Sequence, residues 1–213
     1  MLKIKYPAAL IRAAQMAQAK NDVLYYICGI HLTPHGRVTG TNGHILFSGR
    51  LPKGYDASSL GHDVILKIDG TIPATADDVT FIFEDKLGGM CRTDNKKAFT
   101  FEVVDGKYPD IDRVVPKLPR KQHSAGFGVN ASYMAKAEAI FGKDASIAVY
   151  PSGDRESVLV EPAYNMDDGD PMAGSLMVVM PVRTDQTFEA LFTDDAVDQR
   201  VREKLGEPEA EAA

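Results

Sequence analysis

One pattern recurs three times in this chain and limits what it can fold into. A strand-like run is followed by a helix-forming run, missing in the second copy, and then by three more strand-like runs, with units beginning near residues 2, 63 and 124. The offset of about 61 residues is a repeat of pattern and not of residue identity, and it makes the chain an array of supersecondary units.

In the first unit residues 3–5 read as a short strand, and Pro7 at the first helical position opens PAALIRAAQMAQAK, which predicts a helix over about 7–20. Strands are predicted over 23–33 (VLYYICGIHLT), 37–41 (RVTGT) and 44–49 (HILFSG), the last two joined by Asn42-Gly43, a strong hairpin signal. The second unit begins with HDVILKID (62–69) and continues with strands near 79–84, 89–93 and 98–104. Between Asp69 and Asp78 stand GTIPATAD, where a Gly, a Pro and too few residues leave no room for a helix. In the third unit a strand over 124–129 leads to Asn130, a good N-cap for ASYMAKAEAIF, which Gly142 closes. Its apolar face is Tyr133, Met134, Ala137, Ile140 and Phe141, and strands over 146–151, 157–162 and 174–182 follow. The expected class is α+β, with a two-unit domain at 1–105, a connector at 106–122, a half-domain at 123–183 and an acidic extension at 184–213.

Charge separates that extension from the rest. Nine of the 30 acidic and three of the 24 basic residues lie in 184–213, which leaves 21 of each in residues 1–183. A neutral body is no nucleic-acid binder by bulk charge, although a one-sided basic surface escapes such a count. With 44% apolar residues and no long uncharged apolar run, the chain reads as a globular protein without a membrane span. The start, MLKIKYPAAL, has no apolar stretch before a small-residue cleavage site, so a cytoplasmic location is expected. Cys28 and Cys91 sit in strand-like runs and read as reduced, buried small hydrophobes.

The connector carries the most specific signal. In VDGKYPDIDRVVPK (104–117) a strand ends at Asp105-Gly106, and Pro109 and Pro116 stiffen the stretch beyond that turn, so the segment reads as an ordered crossing between two packed units. It resembles, nearly residue for residue, the connector from the second to the third domain of bacterial DNA polymerase sliding clamps, the DNA polymerase III beta subunit family. FGVNASYMAKAEAIF and LMVVMPVR likewise resemble that family's last helix entry and C-terminal strand. Clamp domains are built from two such units, so this chain resembles the middle domain, with its second helix trimmed, plus the C-terminal half of the last domain. The likeness runs over about residues 6–183 and leaves the family's first domain and the front half of its third without a counterpart.

The resemblance implies a DNA-clamp (processivity-fold) architecture and a peptide-binding cleft between domains. Residues matching that cleft are Thr41, Gly43, His44 and Leu46; Pro109, Arg113, Val114 and Val115; Asn130 and Tyr133; and Val179, Met180, Pro181, Val182 and Arg183. Leu46, Val114, Val179 and Met180 are expected to form the apolar pocket, with His44 and Arg113 as its polar edges. Seam and binding site are both open readings for these residues. The partners implied are clamp-binding motifs of DNA polymerase or repair proteins. Non-specific double-stranded DNA is implied more weakly, through Arg12 and Lys20 on the first helix and Lys136 and Lys143 on the last, where the rival reading is an ordinary solvated face.

No cofactor, metal or catalytic residue is implied. His31 and His35 flank Pro34, so helical ligand spacing does not apply, and Asp167, Asp168 and Asp170 lack the spacing of a calcium loop. With no phosphate-cradling loop and no nucleophile elbow, the chain reads as a non-enzyme. Beyond the family's usual end, 187–205 has helical character, and QTFEALF (186–192) loosely resembles the partner peptides; a segment covering the chain's own cleft and a solubilising tail both remain open. Two function classes are left: an accessory clamp-like factor, with or without encircled DNA and with several copies closing any ring, and a monomeric decoy that occupies clamp-binding proteins.

Overall fold

Pro7 ends the first strand and starts the first helix at once, since it lacks the N–H that a helix start would leave unpaired. The computed structural model describes residues 1–116, 128–152, 156–164, 166–167 and 169–182. The first unit comprises β1 (Leu2–Pro7), α1 (Ala8–Ala17), β2 (Ile30–Leu32), β3 (Arg37–Thr41) and β4 (Ile45–Arg50). The second comprises β5 (Val64–Ile68), β6 (Asp78–Phe83), β7 (Gly88–Thr93) and β8 (Ala98–Val103), with no α-helix between β5 and β6. The third comprises β9 (Gly128–Val129), α2 (Ala131–Met134), α3 (Lys136–Phe141), β10 (Ile147–Pro151), β11 (Val158–Pro162), β12 (Leu176–Val179) and β13 (Pro181–Val182).

Two expected elements of unit one differ, and in unit three the single strand expected over 174–182 is broken at Met180 into β12 and β13, which pair in different sheets. The helix expected over 7–20 stops at Ala17, because the Ala19 N–H leaves the helical ladder to donate to the carbonyls of Ile27 and Thr41, at 3.0 and 3.1 Å. The strand expected over 23–33 begins as a 3-10 turn, Tyr25–Cys28, and only Ile30–Leu32 is strand. Asp22 accepts from the Leu24 N–H at 2.9 Å and bends the chain there, a local choice that an apolar run does not reveal. Cys28 therefore sits half-buried at the end of a turn, whereas Cys91 is buried on β7. In the third unit Asn130 caps its helix as expected, accepting from the Ser132 N–H at 2.9 Å, and Gly142 takes a φ of +111° at the other end.

Among the described residues eleven strands form one antiparallel sheet in the order β1-β6-β7-β8-β5-β2-β3-β4-β12-β11-β10, and β13 pairs separately with β9. The first strand of unit one thus caps unit two, while unit three is attached to unit one through the ladder of β12 on β4, Leu176 opposite Ser48 to Val179 opposite Ile45. α1 lies across β3 closely enough that a Cβ on Gly40 would collide with the Ala14 carbonyl. The main core fills this helix side of the sheet, with Leu10, Ile11, Phe47, Phe81, Ile140 and Phe141 among its members. A smaller cluster on the opposite side unites Leu46, Ile65, Tyr108, Ile111, Leu159 and Val178.

Where unit two lacks its helix, polar side chains of α1 take over. Arg12 Nη1 donates to the carbonyls of Pro73 and Ala76, both at 2.8 Å, and Gln15 donates to the Gly70 carbonyl and accepts from the Ile72 N–H at 2.8 and 3.0 Å. Backbone groups that a helix would have paired internally are satisfied from outside, which lets Ile72 insert fully into the core. The other flank of α1 is covered by α3, whose Lys136 Nζ donates to the Met16 carbonyl at 3.0 Å, in the last turn of α1.

The connector crosses the face opposite the helices. Tyr108 is buried and stacks on His31 with ring centres 4.6 Å apart, Asp112 pairs with Arg37 at 2.9 Å, and Ser157 donates to the Val114 carbonyl at 2.9 Å. Burial holds the His31 imidazole below its ordinary pKa range; Asp63, 3.2 Å from Nε2, opposes that shift and Arg37 reinforces it.

These anchors make two outcomes testable. Arg12→Ala should lower stability by about 2 kcal/mol, since two part-buried carbonyls lose a charged donor, and thermal unfolding should begin roughly 4–8 °C lower. Because the folded state holds His31 neutral, its contribution is complete above the ordinary histidine pKa and is lost as pH falls through that value toward the depressed one. Urea midpoints measured at pH 7 and pH 5 should therefore fall less in His31→Phe, which keeps the ring on Tyr108, than in the parent chain.

Candidate functional site

The cleft is assembled from four short segments, each held by its own local bonds. The β3–β4 hairpin turns at Gly43, φ +81°, where Asn42 Oδ1 accepts from the N–H groups of His44 and Ile45 at 3.0 and 2.9 Å. Thr41 Oγ1 donates to the Ile45 carbonyl at 2.7 Å, which locks the hairpin as a rigid wall. The connector supplies Pro109, Ile111 and Val114 from a 3-10 turn, Ile111–Arg113, whose N-cap Asp110 accepts from the Asp112 N–H at 3.2 Å. Strand β12 closes the site, and the Met180 N–H donates to the His44 carbonyl at 2.8 Å, extending the β12–β4 joint by one residue.

The resulting pocket encloses about 160 Å3 and is lined by Leu24, Ile27, Thr41, Leu46, Val178 and Met180 together with Gly43, His44 and the connector residues. Small-molecule sites usually enclose roughly 300–1,000 Å3, so this volume suits one apolar side chain of a larger ligand and not a whole cofactor. Its rim continues outward as exposed apolar surface, with Leu24 47%, Met180 39% and Val114 38% accessible. Leu24, Val114 and Met180 thus form one apolar rim around the pocket. A wider concavity of about 1150 Å3 runs along the other side of the connector; its lining mixes polar and apolar groups, Arg37 pairs there with Asp112 and Arg113 with Asp110, and His31 hydrogen-bonds Asp63.

Of the residues that sequence reasoning named, Thr41, Gly43, His44, Leu46, Pro109, Val114 and Met180 line the pocket. Tyr133 stands at its edge, stacked on His44 with ring centres 5.7 Å apart, and Asn130 serves as the helix cap. Val115 packs against the smaller cluster instead, and Pro181 and Val182 pair with β9. Val179 is a correction: it is fully buried in the core on the helix side, because alternate residues of a strand face opposite ways, and Val178 takes the place expected of it. Arg113 is another, for its guanidinium lies 84% exposed against Asp110 and borders the polar concavity. Arg183 and the extension at 184–213 lie outside the described residues. Leu24, Ile27 and Ile111 were missed; the period-2 alternation of β12 could have found Val178, but nothing local marks Leu24 as a cleft residue.

The cations expected to face DNA divide in two. Arg12 and Lys136 are part-buried and donate to backbone carbonyls, whereas Lys20 and Lys143 are exposed. Burial, and then the neighbouring Lys20 charge, holds the Lys136 ammonium below its ordinary pKa range. Among the described residues no helix is long and apolar enough to cross a membrane, and no group of three or more His, Cys, Asp or Glu side chains is placed to hold a metal ion.

No family model matches the chain. It is 32% identical over 137 residues to the beta sliding clamps of Salmonella typhimurium and Escherichia coli, and 31% identical over the same length to that of Proteus mirabilis. Each match covers 60% of this chain and 36% of the relative, so the chain spans about a third of the length of the curated relatives it matches. Among solved structures, a DNA polymerase III beta sliding clamp from Bartonella birtlesii superposes with a TM-score of 0.61 at 17% identity, over 85% of this chain and 66% of that one. The sliding clamp of Bacillus subtilis gives 0.58 at 14% identity, over 86% and 64%. The chain therefore has the fold of the bacterial DNA sliding clamps and, over part of its length, is similar to them in sequence.

Proposed function

We propose that this chain is a clamp-like accessory protein of DNA replication and binds short peptide motifs of polymerase or repair proteins. The observation that carries the reading is the small apolar pocket between the hairpin, the connector and the end of β12, ringed by exposed Leu24, Val114 and Met180. A pocket of this size anchors one apolar side chain, and the unbranched thioether of Met180 can adapt to ligands of differing shape. The bonds that hold its walls make it largely preformed, which spares binding the ordering of the receptor. The similarity to beta sliding clamps supports a binding protein over an enzyme.

A second reading, a decoy that competes for such peptides without encircling DNA, is favoured by one observation. Arg12 and Lys136, half of the expected phosphate contacts, are committed to carbonyls within the chain. Sequence-independent retention of a duplex needs several free cations, each of which steepens the dependence on salt.

A peptide of the type Gln-Leu-x-Leu-Phe should bind in the micromolar range, about −8 kcal/mol, as befits a short flexible ligand that must be ordered. Leu46→Ala with Met180→Ala should weaken it at least about tenfold by calorimetry while circular dichroism stays unchanged. Absence of heat at millimolar peptide would remove the cleft reading. For DNA, the second reading expects no duplex retention at low salt; retention that disappears in Lys20→Glu with Lys143→Glu would favour the encircling form instead.

A further inference from the structure

The two edges of the eleven-stranded sheet are built differently. β1 ends it on one side and carries exposed Lys3 and Lys5, the charged side chains with which edge strands ward off further pairing. β10 ends it on the other, reads IAVYP, carries no charge, and among the described residues has no partner beyond β11. The repeat within the chain shows what is missing. β6 holds the same place in unit two as β10 does in unit three, following the unit's first strand and preceding its last two, and its outer edge is covered by antiparallel β1.

We propose that β10 is a self-association edge, on which β10 of a second copy of this chain pairs antiparallel and joins the two sheets into one. The ladder fixes which groups are free. Ala163 N–H donates to the Ser146 carbonyl at 2.9 Å, so Ser146 and, by alternation, Ala148 and Tyr150 direct their backbone groups at β11. Ile147 and Val149 direct theirs outward, and Pro151 offers a carbonyl without an N–H. A register with Ile147 opposite Val149 of the second copy exchanges both N–H and C=O of each residue across the two-fold axis and calls on no donor that Pro151 lacks. The strand is thus self-complementary, which is the requirement for a closed pair of identical subunits. A β1 edge from the second copy would instead bring Lys3 to an uncharged strand that offers it no partner, while Lys5 already pairs with Asp78 at 2.7 Å.

Sedimentation of the intact chain at rising concentration tests this, with amide exchange followed at Ile147 and Val149. The expected result is a mass approaching twice 23.2 kDa, with exchange at those two amides slowing as the dimer forms. Val149→Pro removes an outward donor without touching the β10–β11 bonds and should return the protein to a monomer. A chain that stays monomeric at high micromolar concentration overturns the proposal, and so does a dimer whose Ile147 and Val149 amides exchange at concentration-independent rates. Those amides report on the unaltered chain, so the outcome is readable even where Val149→Pro does not fold. Neither measurement uses a peptide ligand, so failure here leaves the cleft reading standing.

Discussion

The β12–β4 ladder is the joint on which the other features depend. Four residue pairs and the added bond from Met180 to His44 fix unit three against unit one. With that ladder in place α3 falls beside α1, the connector is drawn across the opposite face, and the hairpin turn meets the end of β12. Remove the joint and the core loses Val158, Val160 and Met177 from its helix side, while the cleft loses Val178 and Met180. Core and candidate site are therefore two faces of one set of hydrogen bonds. That is why a strand as short as Leu176–Val179 carries both: residues of one parity bury in the main core and residues of the other line the pocket.

The helix-free segment between β5 and β6 shows how the fold accommodates a loop where unit one carries α1. A loop buried against a core must pair its backbone groups, and a loop with a Gly and a Pro cannot do so by itself. Arg12 and Gln15 supply the partners from α1, and α3 covers the flank of α1 beyond them. Each such bond is worth about 1 kcal/mol net, but leaving a buried carbonyl unpaired costs about 1–3, so these side chains are not free to be reassigned. The structural need competes directly with a phosphate-binding role for the same guanidinium. In this structure Arg12 Nη1 is given to the loop.

Much of this was legible in the sequence, for identifiable reasons. Strands with period-2 alternation and sharp ends, such as Asp78–Phe83 and Ala98–Val103, were readable because turn residues bound them. The N-cap at Asn130 and the hairpin at Asn42-Gly43 were readable because each is a local hydrogen-bonding choice. The run at 23–33 was not, since an apolar stretch fits a strand and a turn equally well until Asp22 bends it. The carbonyl bonds of Arg12 and Lys136 were not readable for a different reason: a cation on a helix looks solvated from its neighbours in sequence, and the carbonyls that these two reach lie 61, 64 and 120 residues away. In the cleft, named residues on the hairpin and connector do line the pocket, while Val179, named from the resemblance, faces the core, as the alternation of β12 requires. Leu24 comes to the rim only because the turn at Asp22 lifts it there.

The two proposed surfaces bear on each other through the geometry of the sheet. Antiparallel pairing of two β10 edges places its two-fold axis perpendicular to the sheet, so both copies present their helices on one face and their clefts on the other. From the axis to the β12–β4 joint is about three strand spacings of roughly 4.8 Å, which sets the two clefts about 25–30 Å apart on the same side. A flexible linker of about 20–25 residues spans that distance at its average extension, so a partner carrying two such motifs could engage both clefts at once. Its second contact would then form at an effective concentration set by the linker, and two weak anchors in small pockets would hold far more tightly than either alone. A site of 160 Å3, modest for a single ligand, fits that use.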